Sequence, residues 1–340
     1  MALLGAVLDV IQCEFSKKEP VWHTHPLPAE DLAFLKKECN TTSEFDPNGW
    51  RKEMFQRFQR GTSQMEVRSC AYGQITVLYD NPSQVVPWGL WGRILRAYAP
   101  GKKAKIFFLA HPALRQFPVE ARGAPTPPFK ARPTVEEGTL FKARPPFKAR
   151  PTVEARGAPT PPALRQPPLA PMQIQVGDME NAAHPIGPPH INGGYTYPCN
   201  VQTIVLYRAE DATRVLIHEL QHASCLDHHE HGVDLVEAET EAWAELLYAG
   251  FLSHGNKAIF HERVRAQAEW MQVQNKEVRR RIGHTMRFPW RYTVGKEDVW
   301  RRWGLVSNTH SLQATSLRLG APPSLSQKRA FGVPLDSTIL

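Results

Sequence analysis

The sequence predicts an α+β fold, and three observations carry that expectation. Short runs rich in β-branched and aromatic residues, QITVLY at 74–79, KAKIFFLA at 103–110 and QTIVLYR at 202–208, read as strands. Longer stretches with helical spacing of apolar residues gather after residue 209. Between the second and third strand runs, a repetitive proline-rich tract at 112–171 has too few large apolar residues to bury a core.

Taken in order, the first residues, MALLGAVLDVIQ, lack a basic leader and meet Asp9 after eight residues. That is well short of the ~20 apolar residues of a membrane span, so a buried N-terminal segment is expected and no membrane partner. The tract repeats VEARGAPTPP at Val119 and Val153, FKARP at Phe129, Phe141 and Phe147, and ALRQ at Ala113 and Ala163, and it holds fifteen of the thirty prolines. Such a segment is expected to be polyproline-II-like or disordered. ALRQ at both ends points to local duplication, so the tract is expected to interrupt one domain made of 1–111 and 172–282. After it come the Gly-rich INGGYTY at 191–197, the strand at 202–208, and a helix in AEDATRVLIHELQHA at 209–223 with Asp211 as its N-cap. A polar, His-rich turn at 227–232 leads to a second helix at 234–251 and a charged third helix at 256–282. From 283 to 340 the periodicity is weak and predicts only a partly ordered tail.

The net charge is +8, of which residues 112–171, with ten Lys/Arg and four Glu, supply +6. The globular part is therefore nearly neutral and offers no basic face for nucleic acid. The tract is read as an expanded linker; a basic nucleic-acid arm or a proline-rich docking ligand is the sharper alternative, weakened by having only four Phe, and no other aromatic residue, among the charges. Five scattered cysteines, odd in number and without C-x-x-C, predict neither a disulfide framework nor a thiolate zinc site and favour a reducing, intracellular compartment, the cytoplasm.

Within the first predicted helix, VLIHELQHA places His218, Glu219 and His222 in an H-E-x-x-H pattern. Residues four apart share a helix face, so both imidazoles can address one cation while Glu219 reaches a water beside it. Two neutral imidazoles plus one carboxylate suit Zn2+ with an open fourth position, the arrangement that makes water a nucleophile near neutral pH. The competing reading is two histidines on an ordinary amphipathic helix; the preceding strand and the following acidic helix favour the metal. For the third ligand, His228 would complete H-E-x-x-H-x-x-C-x-x-H, but Cys225 stands where a turn-permitting glycine is needed, and Gly232 is the residue better placed to end the helix. In VEAETEAWAELL, Glu237, Glu241 and Glu245 share one face opposite a stripe of Leu235, Val236, Ala242, Trp243, Leu246 and Leu247. Asp234 and Glu237 also fit a capping box, which would reduce Glu237 to tying down the helix start. Glu239 falls within the apolar stripe and is expected to meet Arg208 or Arg214, or to lie at a domain edge.

Together these segments, INGGYT, IVLYRAEDATRVLIHELQHA and EAETEAWAELL, resemble the gluzincin type of zincin metallopeptidase over about sixty residues, 191–251. They are also similar to uncharacterised H-E-x-x-H proteins of large DNA viruses, which would place the chain in the host cytoplasm. The resemblance implies a zincin-like catalytic domain with a mixed sheet, an active-site helix and a glutamate helix. It implies Glu237 as metal ligand and Glu241, four residues on, as the group orienting a ligand histidine; a rival register, closer to the aminopeptidase branch, makes Glu241 the ligand. It implies peptide hydrolysis, with the substrate extended along an edge strand, expected at IVLYR. An oxyanion partner is expected among Tyr248, His254, His261 and Tyr292. The three motif residues by themselves imply only metal-assisted hydrolysis, with Glu219 as general base. A catalytically silent metal-binding protein with a proline-rich basic arm is the rival from another class, and Glu219 discriminates, because a silent site has no need of a base. A third possibility is a protease tethered to nucleic acid by the basic tract.

Overall fold

The computed structural model describes residues 2–81, 86–98, 103–114, 186–227, 231–283, 286 and 288–306. The expected insert, its disorder and its proposed nucleic-acid or docking roles therefore lie outside the described residues from 115 onward, as do His228 and residues 307–340. The N-terminal part supplies α1 (Ala2–Ser16), β1 (His23–His25), α2 (Ala29–Asn40), α3 (Trp50–Gln59), β2 (Gln64–Cys70), β3 (Gly73–Tyr79), α4 (Trp88–Tyr98) and β4 (Ala104–Leu109). After the tract come α5 (Pro188–Ile191), β5 (Gly194–Thr196), β6 (Ile204–Leu206), α6 (Ala212–Ala223), α7 (Val233–Leu252), α8 (Lys257–Ile282), α9 (Phe288–Tyr292) and α10 (Val294–Arg302).

The fold is α+β with a mixed six-stranded sheet in the order β1-β2-β3-β4-β6-β5. The central pairs β3–β4 and β4–β6 are parallel, and the flanking pairs are antiparallel. Ile106 pairs with Ile204 and Phe108 with Leu206, so strands from either side of the tract meet at the sheet centre. Both faces are covered, as buried parallel strands require. Alternation sends Ile75, Val77, Ile106, Phe108, Ile204 and Leu206 to one face, against Trp91 and Ile94 of α4 and Leu216 and Leu220 of α6. Leu78, Phe107, Leu109 and Val205 face the other way, against Leu35 of α2 and Met54 and Phe55 of α3.

The N-terminal segment is a helix, as its apolar run suggests, and buries Val7, Leu8 and Ile11; Ile11 lies against Gly250 of α7. No helix among the described residues is long and apolar enough to cross a membrane. Within the partly ordered tail expected at 283–340, residues 288–302 form two helices. Here α9 and α10 pack on α7, with Trp300 fully buried and its indole N–H donating to the Ala242 carbonyl at 2.9 Å. Their pattern was weak because α9 and α10 are short and much of their charge is buried and paired, which erases the polar face a surface helix shows.

Candidate metal centre

Helix α6 leaves the sheet directly after β6 and is buried along nearly its whole length. Asp211 occupies the N-cap position but does not cap with its side chain; its φ of 59° is left-handed, whereas a capping residue needs the extended region to aim its oxygen at the first amides. The helix stops at Ala223, and Cys225 takes φ 56°, the conformation a glycine would supply. Gly232 does not end α6 as expected; it stands at the N-cap of α7. With α7 starting at Val233, the capping box is also excluded: Asp234 pairs with Arg291, and Glu237 is turned inward.

One turn of α6 separates His218 and His222, and their Nε2 atoms lie 3.0 Å apart. Across from them, Glu237 Oε2 is 3.3 Å from His218 Nε2 and 3.7 Å from His222 Nε2. All three residues are buried. Glu241 does not join this group; it sits behind His218, Oε1 3.5 Å from Nδ1, with its other oxygen held by Arg214. His222 Nδ1 donates to Asp227 Oδ2 at 2.6 Å. A carboxylate therefore faces each Nδ1, which favours the proton there and turns the Nε2 lone pair toward the centre.

Two imidazole lone pairs and a carboxylate oxygen converging in a dry site repel one another unless a proton or a cation lies between them. Glu237 Oε2 is buried and accepts no hydrogen bond, an omission that calls for an ion. Ligand atoms bonded to tetrahedral zinc at ~2.0–2.1 Å stand about 3.3 Å apart, and the spacings here bracket that value. The residues fit a zinc ion. Burial opposes charge on His222, but Glu237 and Asp227 outweigh it and hold its pKa well above the ordinary value in the metal-free site. Burial likewise opposes ionisation of Glu237, yet His222 and His218 prevail and keep its carboxyl well below the usual range. A metal held by these residues would have to displace the proton from His222. Glu219 is different: burial pushes it up to about 7, against the pull of His218 and His222.

The three residues and Glu219 line a cleft together with β5, Phe45, Pro198, Val215 and Tyr292. The edge strand expected at IVLYR is corrected. β6 is paired on both sides, by β4 and β5, and among the described residues β5 is the edge strand on this side of the sheet. Gly193 and Gly194 hid it, since glycine weakens any strand signal. The close approach demands that glycine: a Cβ on Gly194 would lie 2.8 Å from both Leu206 Cδ2 and Val215 Cγ1. Tyr195 anchors β5 from its other face, its hydroxyl accepting from Arg51 Nη1 at 2.6 Å and donating to Glu38.

Of the oxyanion candidates, Tyr292 alone lines the cleft. Burial and then Glu237 hold its phenol well above the ordinary value, so it stays protonated. His254 stacks on Phe15 at 4.9 Å, His261 lies beside Phe260, and Tyr248 is half-buried near Asp211 and Arg214. Glu239 meets Arg302 and His231 at 3.5 and 3.6 Å, not Arg208 or Arg214. Glu245, expected to share a face with Glu237 and Glu241, does so fully buried instead of solvated.

The cysteine expectation is also corrected. Cys199, in the turn after β5, is bonded to Cys225, just past α6, with Cα atoms 4.7 Å apart. The reducing compartment inferred from unpaired cysteines loses that support. Both residues frame the site, because their backbone amides donate to the His222 carbonyl at 2.9 and 3.2 Å. A separation of 26 residues gave no local signal. No family model, curated protein or solved structure matches the chain.

Proposed function

We propose that this chain is a zinc-dependent metallopeptidase of gluzincin type. The observation that carries the reading is the convergence of His218 Nε2, His222 Nε2 and Glu237 Oε2 in a pocket lined by β5, an edge strand among the described residues. An exposed strand edge favours an extended peptide, whose backbone groups pair with those of Gly194–Thr196. Zinc, when held there, supplies Lewis acidity toward a carbonyl oxygen and toward water. Glu219 takes the proton of the attacking water and returns it to the leaving amine; a pKa near neutrality suits both transfers. The Tyr292 hydroxyl donates to the oxygen on which negative charge develops. Glu241 and Asp227 keep the two imidazoles from rotating, so that the reacting geometry costs little to reach.

The test is cleavage of a mixed peptide library by the zinc-loaded full chain, read as new termini by mass spectrometry. Cleavage that a chelator abolishes and added zinc restores is the expected result. Tight zinc uptake with no cleavage of any peptide would overturn the peptidase reading and leave the silent metal-binding one.

A further inference from the structure

Behind the metal ligands runs a second cluster that the proposed chemistry does not use. Arg214 stands on α6 four residues before His218, on the same face. Its Nη1 donates to Glu241 Oε2, and its Nε lies 3.8 Å from Glu245 Oε1. Glu245, one turn along α7 from Glu241, accepts from Lys296 Nζ of α10 at 2.7 Å and from Gln267 Nε2 of α8 at 2.6 Å. These five side chains are between 1% and 6% exposed. The cluster thus crosses four helices and ends at the Nδ1 side of His218.

Burying four charges costs several kcal/mol of desolvation for each ion, and apolar residues of the same size hold a core as well or better. Stability alone therefore does not account for the network. Its arrangement gives another reason. Glu241 and Glu245, four apart on one helix, repel each other, and Arg214 lies between them. Lys296 takes up the charge of Glu245 and so leaves the guanidinium to Glu241. Glu241, fixed from behind, presents its other oxygen to His218. Without Arg214 the Glu241 carboxylate is free to swing, and the His218 ring loses its stop.

We propose that Arg214, anchored by Glu245 and Lys296, is a positioning residue of the metal centre, and that helix α10 thereby sets how tightly the metal is held. The inference rests on the metal-site reading above. Its test is zinc affinity measured on folded protein by competition with a chromophoric chelator, alongside the thermal melt of the metal-free chain. Arg214→Met should weaken zinc binding by about 10–100-fold, the range seen when partners of ligand histidines are removed. Arg214→Lys should recover part of it, because the charge returns without the two-pronged geometry. Lys296→Met, which leaves the charge of Glu245 to draw the guanidinium away from Glu241, gives a second variant should Arg214→Met fail to fold and should weaken zinc binding by about tenfold; adding Glu245→Gln, which removes that competition, should recover it. A purely structural network would lower the melting temperature of these variants and leave the zinc affinity of the folded protein at the wild-type value, and that result would overturn the proposal. Wild-type protein that takes up no zinc would defeat the metal centre itself, an outcome distinct from unchanged affinity in the variants.

Discussion

Glu219→Gln is expected to hold one zinc per chain and to lose turnover by about 10²–10⁴-fold, the contribution of a positioned general base. The amide is the same size as the carboxylate, and Glu219 is not among the three groups that converge on the candidate ion, so the metal site should stay intact. What disappears is a lone pair basic enough to take a proton from water. Burial raises Glu219 to about 7, which means that the carboxylate is already costly to keep charged in this pocket. A neutral amide there should leave the fold as stable or more so. The measurement is kcat/KM on a cleaved peptide together with zinc content in the same preparation. Loss of zinc along with activity would place Glu219 among the ligands; unchanged turnover would remove it from the mechanism.

Glu237→Ala and Glu241→Ala should separate cleanly in zinc affinity. Glu237 Oε2 lies within reach of both Nε2 atoms, so its removal deletes a ligand and leaves two imidazoles, a site too poor to retain zinc against a moderate chelator. Glu241 touches only the far side of His218, and its loss should cost about 10–100-fold. Glu241→Ala also strands Arg214 in a dry environment, so the variant should be the less stable of the two. Equilibrium zinc competition on both proteins decides the matter. A larger loss in Glu241→Ala than in Glu237→Ala would restore the aminopeptidase-like register and reverse the assignment of the two carboxylates.

How much of this could be read from the chain alone follows the range of the interactions. His218, Glu219 and His222 were readable because one helical turn places them together, whatever the rest of the molecule does. The long strands β3 and β4 announced themselves through Ile75, Val77, Ile106 and Phe108, whose burial needs no partner to be guessed. Choosing Glu237 over Glu241 required knowing how α7 lies across α6, and there a resemblance supplied what spacing could not. β5 was missed because Gly194 is required by its contact with Val215 and not by strand propensity. Asp227 looked like one more polar residue in a His-rich turn until its carboxylate was found on His222. Lys296 and Glu245, 51 residues apart, and Cys199 and Cys225, 26 apart, meet only through tertiary structure. In α10 Lys296 and Glu297 are buried and paired, so hydropathy misreads it as surface.

The most direct measurement is X-ray absorption at the zinc edge on the loaded, full-length chain, with zinc per chain determined on the same sample. One zinc per chain, surrounded by four nitrogen and oxygen neighbours at ~2.0–2.1 Å with the outer scattering of two imidazoles, is the expected spectrum. A chain that stays metal-free after loading, or a zinc with sulfur neighbours at ~2.3 Å supplied by Cys199 or Cys225, would contradict the centre built from His218, His222 and Glu237.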